Sequence, residues 1–361
     1  RQPDLALSLR RLADSGPREF YEGELARIIV DHLNEGGAHF TSEDFSHYEA
    51  AFEKPLTVNY HGQTVTTIGN GTGGTTLAES LLLLDEMLDG TQEPGSAKLL
   101  DRLARAFAAA FADRFAYLAD PDFAEVPLDA LLSDSYVAER AAELGESDPR
   151  SPRPGTKQRL GVAHQLQPSI PDYTSGGSTT HLSVIDRNGV AVSLTQTLLS
   201  AWGSRVTVPG TGILMNNGMM WFDPEPGRPN SIEGRKRPLS NMAPAIVSGP
   251  RGGLAALGAS GGRRIMNCVA QIALHLIDHD YEMQEAVAAP RIDRSTARLI
   301  ASDRFDPNTL DDLRSMGHDV DVKDERLLLS EFASPACVRY DGRHFTGGVD
   351  LWYYPTTASG V

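Results

Sequence analysis

The segment from Ser178 to Thr197 constrains the fold most, because it dictates a β-hairpin down to its register. Asn188-Gly189 is a strong turn signal between two alternating runs. Side chains in a strand repeat every two residues, so Leu182 and Val184 must share a face with Val190, Val192 and Leu194. That holds if 182 faces 194 and 184 faces 192, with Arg187 to Gly189 as the connection and Gly189 in a position suited to left-handed backbone. Carried back along the strands, the same register sets Thr179 opposite Thr197, on a small polar face with Ser183 and Ser193. Hydroxyls directly opposite each other in this way can hydrogen-bond.

Around the hairpin the chain changes character. Apolar residues at three- and four-residue spacing predict helices over Asp4 to Asp14, Glu19 to Asn34, Thr41 to Ala50, Leu77 to Leu88 and Lys98 to Ala119. Thr41 with Asp44 resembles a capping box. A strand pair, Leu56 to Tyr60 and Gln63 to Ile68, surrounds the turn His61-Gly62. Ser147 to Ser178 is rich in Pro, Gly and Ser and reads as a junction. Beyond the hairpin, strands are expected at Gly212 to Met215, Ala245 to Val247 and Leu254 to Leu257, with helices at Arg264 to Asp278 and near Gln284 and a strand-like tail. Helices first and a sheet-rich half second suggest helices packed on stacked sheets.

Composition narrows the function. The 361 residues carry a net charge of −15, which argues against nucleic acid or an anionic membrane surface as partner. Cys268 and Cys337 are too few for a disulfide framework or a cysteine-built metal site. No stretch is long and apolar enough to span a bilayer. The chain opens at Arg1 without Met, inside a helix-like pattern, so an upstream segment is expected and the destination, cytoplasmic or exported, stays open.

Two short motifs point to chemistry. A threonine hydroxyl is a weak nucleophile unless a base adjoins it, and a chain N-terminus supplies one as its own α-amino group. Thr179 follows Gly176-Gly177-Ser178, so attack of its hydroxyl on the Ser178 carbonyl, then ester hydrolysis, would free that amine. On the hairpin alone, two β-forming threonines after an ordinary linker are the plainer account. Gly258-Ala259-Ser260-Gly261-Gly262-Arg263 precedes the helix from Arg264, where converging N–H groups can hold an anion such as an oxyanion. In isolation a plain glycine-rich turn is the plainer account.

Together the motifs resemble the γ-glutamyltransferase family of N-terminal-nucleophile hydrolases. The matching stretches are residues 179–193, Gly-Ile-Leu-Met-Asn-Asn at 212–217, Lys-Arg-Pro-Leu-Ser-Asn-Met-Ala-Pro at 236–244, Gly-Ala-Ser-Gly-Gly-Arg-Arg-Ile at 258–265 and Glu-Ala-Val-Ala-Ala-Pro-Arg-Ile at 285–292. Upstream, Phe20 to Gly23, Phe40 to Tyr48 and Gly73-Gly74 resemble the second half of the family's large subunit. The resemblance implies an α/β (α+β) fold, a four-layer αββα sandwich. Residues 1–178 would be the C-terminal part of the large subunit and 179–361 the small catalytic subunit, together one structural domain cut from one precursor. It implies Thr179 as nucleophile after autocatalytic cleavage at Ser178-Thr179, Thr197 as its hydrogen-bond partner, and Gly261 and Gly262 as the oxyanion pair. Ser240 matches the first of two adjacent serines that bind the substrate carboxylate in glutamyl enzymes, and Asn241 replaces the second with an amide that can still donate a hydrogen bond.

The chain also departs from the family pattern. Leu199, Gly218 and Trp221 stand where glutamyl-specific members hold the substrate ammonium group, and none has an acceptor side chain. The expected activity is therefore an amide hydrolase or acyltransferase on a γ-glutamyl or similar small-molecule amide, with a glutaryl-type acylase as alternative and an unprocessed, catalytically silent binding protein as a second. No cofactor or metal is expected, and a homodimer is among the expected assemblies.

Other signals are set aside. Gly69 to Gly74 fits a dinucleotide-loop pattern but lacks the following strand, so it is expected near the cleft. His275 and His279 are expected on a solvent-facing helix rather than as metal ligands. His181 shares a side with Thr179 but lies about 7 Å along the strand, which suggests a structural role. Arg235, Lys236 and Arg237 form a basic run that either attracts an anion or is simply solvated.

Overall fold

Strand Ala245–Ser248 pairs with Gln63–Thr67 on one side and Leu254–Leu257 on the other. It therefore joins strands from before and after position 178 into one sheet. The computed structural model describes residues 1–156, 160, 177–249, 253–326, 331–352 and 356–360. Most of the expected 147–178 junction, residues 157–159 and 161–176, lies outside them.

The seven-stranded sheet is antiparallel and runs in the order Leu56–Tyr60, Gln63–Thr67, Ala245–Ser248, Leu254–Leu257, Ser334–Tyr340, Phe345–Val349. Ala259–Ser260 pairs as a short seventh strand beside Ser334–Tyr340. Helices Gly73–Met87, Ala97–Tyr117 and Arg264–Asp278 share a core with this sheet, in which Leu77, Leu81, Phe107, Val65, Leu257 and Ile272 are fully buried. Each of the first two helices begins where a side chain accepts an orphan N–H: Thr72 from Gly74, and Ser96 from Leu99. Gly74 is fixed by space, since a Cβ there would fall 1.8 Å from the Ile68 carbonyl oxygen. The alanines of Ala97–Tyr117 are nearly all buried and let its neighbours approach closely.

The hairpin Gly177–Ile185 and Ala191–Ser200 packs against Leu254–Leu257, Ala259–Ser260 and Ser334–Tyr340. Helices, seven-stranded sheet and hairpin stack in that order as three layers (α, β, β) of an α+β arrangement. The apolar face of the hairpin is the open one: Leu182, Val184, Val190, Val192 and Leu194 are 44–60% exposed. The small polar face is turned to the sheet.

The chain divides into two compact units that do not follow the 178/179 boundary. The larger comprises Lys54–Thr197 and Trp221–Val361, and the smaller Arg1–Glu53 and Leu198–Met220. In the smaller unit the expected helix from Glu19 is two, Glu19–Glu22 and Glu24–Glu35, because Gly23 between them takes extended backbone at φ −91° and ψ −161°. The expected Thr41 helix shortens to Ser42–Ser46, with the Thr41–Asp44 capping box in place. Helices Asp134–Glu146 and Pro307–Ser315, and the sheet of Ile292–Asp293, Leu299–Ser302 and Val320–Lys323, were not anticipated. Among the described residues no helix is long and apolar enough to cross a membrane.

Candidate active site

The hairpin register places hydroxyl against hydroxyl. Thr179 Oγ1 donates to Thr197 Oγ1 at 3.0 Å. The other rungs agree: His181 Nδ1 lies 2.8 Å from Thr195 Oγ1, and the Asp186 N–H donates to the Val190 carbonyl at 3.0 Å. Ser178 and Thr179 are both half-buried in strand Gly177–Ile185.

Two contacts fix how this hairpin sits on the sheet. Ser193 Oγ donates to the Leu257 carbonyl at 2.8 Å. One rung along, the His181 ring covers Gly258 so closely that a Cβ there would lie 2.1 Å from a ring carbon. The next rung is Thr179–Thr197, so the same progression leads it toward Ala259–Ser260 and the glycines that follow. Burial pushes His181 down to about 4, which keeps the imidazole neutral. Thr195 and Ser183 occupy its two nitrogens, so it braces the hairpin and offers no base to Thr179.

Gly261 and Gly262 have φ of +140° and +63°, conformations that favour glycine. A Cβ at Gly261 would also lie 2.7 Å from Ala333 Cα. Their carbonyls accept from the N–H groups of Arg264 and Ile265, at 3.3 Å each, which opens helix Arg264–Asp278. Among the described residues neither glycine N–H donates to a protein acceptor. Two adjacent unpaired donors at a helix N-terminus suit a developing negative charge.

Ser240 and Asn241 are held by the Gly69–Gly74 loop. The Ser240 N–H donates to the Gly71 carbonyl at 2.8 Å, and the Gly73 N–H to the Met242 carbonyl at 3.0 Å. Gly73 is a close-approach position, since its Cβ would meet the Asn241 carbonyl at 2.6 Å. The loop is thus a clasp on the Ser240 segment, as its sequence alone only hinted. Sequence reasoning missed Arg114, which reaches the same segment from helix Ala97–Tyr117. Its Nη2 donates to the Ser240 carbonyl at 2.6 Å and Asn241 Oδ1 at 2.9 Å, and its Nη1 to the Thr72 carbonyl at 3.0 Å. Burial, with the nearby Arg263 charge, pushes Arg114 down to about 9, still cationic at neutral pH. The available signal was a charged residue inside the apolar run from Phe107 to Tyr117.

Leu199, Gly218 and Trp221 have local contacts of their own. Leu199 and Gly218 belong to the smaller unit, where Leu199 has φ of +76° and the Gly218 N–H donates to Asn216 Oδ1 at 2.8 Å. Trp221 belongs to the larger unit, and its carbonyl accepts from Asn230 Nδ2 at 2.7 Å. The expectation of a solvent-facing His275–His279 helix is corrected: His275 is buried in the core, and its Nδ1 lies 3.0 Å from His279 Nδ1. Among the described residues no cluster of three or more His, Cys, Asp or Glu could hold a metal. The basic run does not project as a bare patch. Arg237 pairs with Asp120 at 3.0 Å and Asp122 at 2.9 Å, and Lys236 lies over the Phe123 ring.

Comparison with known proteins bears on this geometry. Residues 1–354 match the family model described as Gamma-glutamyltranspeptidase. The chain is 34% identical over 336 residues to the glutathione hydrolase proenzyme of Escherichia coli (strain K12), covering 90% of this chain and 56% of that protein. It is 34% identical over 326 residues to the Acylase ACY 1 proenzyme of Pseudomonas sp. (strain V22), covering 88% and 55%. The crystal structure of cephalosporin acylase from Bacillus halodurans superposes with a TM-score of 0.84 at 26% identity, over 97% of this chain and 61% of that one. The chain spans about half the length of the curated relatives it matches.

Proposed function

The chain belongs to the gamma-glutamyltranspeptidase family, and from that premise we propose an amide hydrolase or acyltransferase whose nucleophile is Thr179, freed as an N-terminus by cleavage after Ser178. The observation that carries the reading is the 3.0 Å contact between the Thr179 and Thr197 hydroxyls. In the uncut chain the Thr179 oxygen attacks the Ser178 carbonyl, the peptide nitrogen leaves as the Thr179 amine, and water hydrolyses the resulting ester. The free α-amine, with an ordinary pKa of about 7.7–8.0, then takes the proton of its own hydroxyl. The oxygen attacks the substrate amide, and the Gly261 and Gly262 N–H groups stabilise the oxyanion. The ammonium returns its proton to the leaving amine, and water or an acceptor amine resolves the acyl-enzyme. Thr197 holds the nucleophilic oxygen in line throughout.

The names of two relatives, a glutathione hydrolase proenzyme and an acylase proenzyme, support a small-molecule amide substrate and a precursor cut into two subunits. The sheet supports lasting association of the two pieces. Gln63–Thr67 comes from one side of the cut and Ala245–Ser248 from the other, and four residue pairs join them. Cutting at 178 leaves this ladder whole. Dimerisation of the processed enzyme is a further proposal.

A second reading concerns the acyl group. The side chains of Leu199, Gly218 and Trp221 offer no acceptor for an ammonium group, which favours a dicarboxylic monoamide such as a glutaryl amide over a γ-glutamyl one. The test is chromophore release from γ-glutamyl and glutaryl anilides. Turnover of either that disappears in Thr179→Ala is expected, and turnover of the glutaryl compound alone supports the second reading. Cleaved protein that hydrolyses neither refutes the catalytic assignment.

A further inference from the structure

Among the described residues, Arg114 is a buried cation without a counter-ion. It is 1% exposed, and no carboxylate pairs with it among the described residues. Its neighbour Asp113 is turned onto the Tyr136 hydroxyl and the Gly155 N–H. A guanidinium out of water is costly unless its donors are satisfied and its charge is met. Here the donors go to two segments, Thr72 with Thr76 and Ser240 with Asn241, while Nε has no partner.

The chemistry of these groups sets a polarity. A guanidinium has donors only, so the Asn241 amide must turn its oxygen to Arg114 and its Nδ2 away. Among the described residues that Nδ2 bonds to nothing. Ser240 Oγ accepts from the Met242 N–H at 3.3 Å, and its own hydrogen is uncommitted. Two adjacent donors backed by an uncompensated positive charge match a carboxylate.

We propose that Arg114 is the positioning residue of an anionic acyl-chain subsite, fixing Asn241 so that it and Ser240 both donate to the distal carboxylate of a dicarboxylic monoamide. The inference rests on the reading of Thr179 as nucleophile and of Ser240 and Asn241 as substrate contacts. Arg114 itself does not touch substrate. It acts by setting which end of the Asn241 amide is presented.

The test compares glutaryl and pentanoyl anilides, which have the same chain length and differ in the terminal carboxylate. Wild type is expected to favour the glutaryl compound by about 30-fold or more in kcat/KM, the scale of a charge-assisted contact. Asn241→Asp keeps an oxygen for Arg114 but replaces the donor with an anionic acceptor. It should raise KM for the glutaryl compound roughly 30-fold, leave kcat within about threefold, and abolish the discrimination. Arg114→Met should act in the same direction, and Arg114→Lys, which keeps the charge and loses the fork, should restore part of the preference. A purely structural arginine would lower both substrates by one factor.

Equal use of the two anilides by wild type, or equal losses on both in Asn241→Asp and Arg114→Lys, overturns the proposal and leaves the nucleophile intact. If Arg114→Met does not fold, the other two variants decide. Cleaved wild type that hydrolyses neither of these anilides but does release the γ-glutamyl one overturns this inference alone; if it hydrolyses none of the three, the catalytic reading falls as well.

Discussion

Replacing Thr197 with Val is the sharpest perturbation of the proposed nucleophile. Valine has the shape of threonine, so packing of strand Ala191–Ser200 on the sheet is kept, while the oxygen 3.0 Å from Thr179 Oγ1 is lost. Thr179 then keeps a half-buried hydroxyl without its partner on the opposite strand. Leaving such a group unsatisfied costs roughly 1–3 kcal/mol, and because the oxygen concerned is the attacking one, the cost falls on the reaction barrier. The expected result is a roughly five- to 150-fold slower appearance of the fragments ending at Ser178 and beginning at Thr179, and a similar loss in amide turnover. Thr197→Ser, which keeps the hydroxyl, should recover most of both rates. Fragment formation is followed by mass spectrometry against time, with thermal unfolding as the control for fold. Cleavage and turnover within twofold of wild type in a folded Thr197→Val protein would refute the role of the hydroxyl pair.

Three further outcomes are expected. Gly261→Ala places a Cβ 2.7 Å from Ala333 Cα on backbone at φ +140°, so it should lower stability by about 1–3 kcal/mol and turnover by about 10²–10³; unchanged turnover in a folded variant would remove the oxyanion assignment. His181 titrates near 4 when folded, below its ordinary 6.5, so the unfolded chain takes up its proton first and stability falls as pH drops from 6.5 toward 4 by at most about 3 kcal/mol. Urea unfolding of His181→Gln should show a shallower decline over that window, and an identical decline contradicts the burial argument. Burial, with Asp113 beside it, holds the Glu79 carboxyl well above the usual range, so the folded chain keeps that proton longer than the unfolded one and stability falls as pH rises out of the ordinary carboxylate range. Glu79→Gln, which cannot titrate, should flatten that decline in denaturant titrations across pH, and an unchanged decline contradicts the burial argument.

The hairpin register was legible because the Asn188-Gly189 turn and strict alternation leave one pairing. Which face points inward was not. Apolar alternation conventionally marks the buried face, yet here Leu182 and Val192 are exposed and the polar face meets the sheet, through Ser193 on the Leu257 carbonyl and His181 on Gly258. That choice depends on contacts some sixty or more residues away, which no local pattern encodes. The helix boundary at Gly23 failed for a different reason: the apolar spacing continues through a glycine that takes extended backbone. Arg114 stood out only as a charge inside an apolar run; its role was not legible because its partners Thr72 and Ser240 lie far off in sequence and offer backbone carbonyls, which every residue has. The Gly261–Gly262 turn could be located from glycine content and the following helix, but not the close approach of Ala333, whose Cα lies 2.7 Å from where a Cβ on Gly261 would fall.

The account stands on Thr179 becoming a chain terminus. Intact-mass and fragment analysis of the purified protein measures this directly. Wild type should separate into a piece ending at Ser178 and a piece beginning at Thr179, and Thr179→Ala should remain a single chain across that bond. A wild-type protein whose 178–179 peptide stays whole after prolonged incubation, or a Thr179→Ala protein cut at the same position, would contradict it.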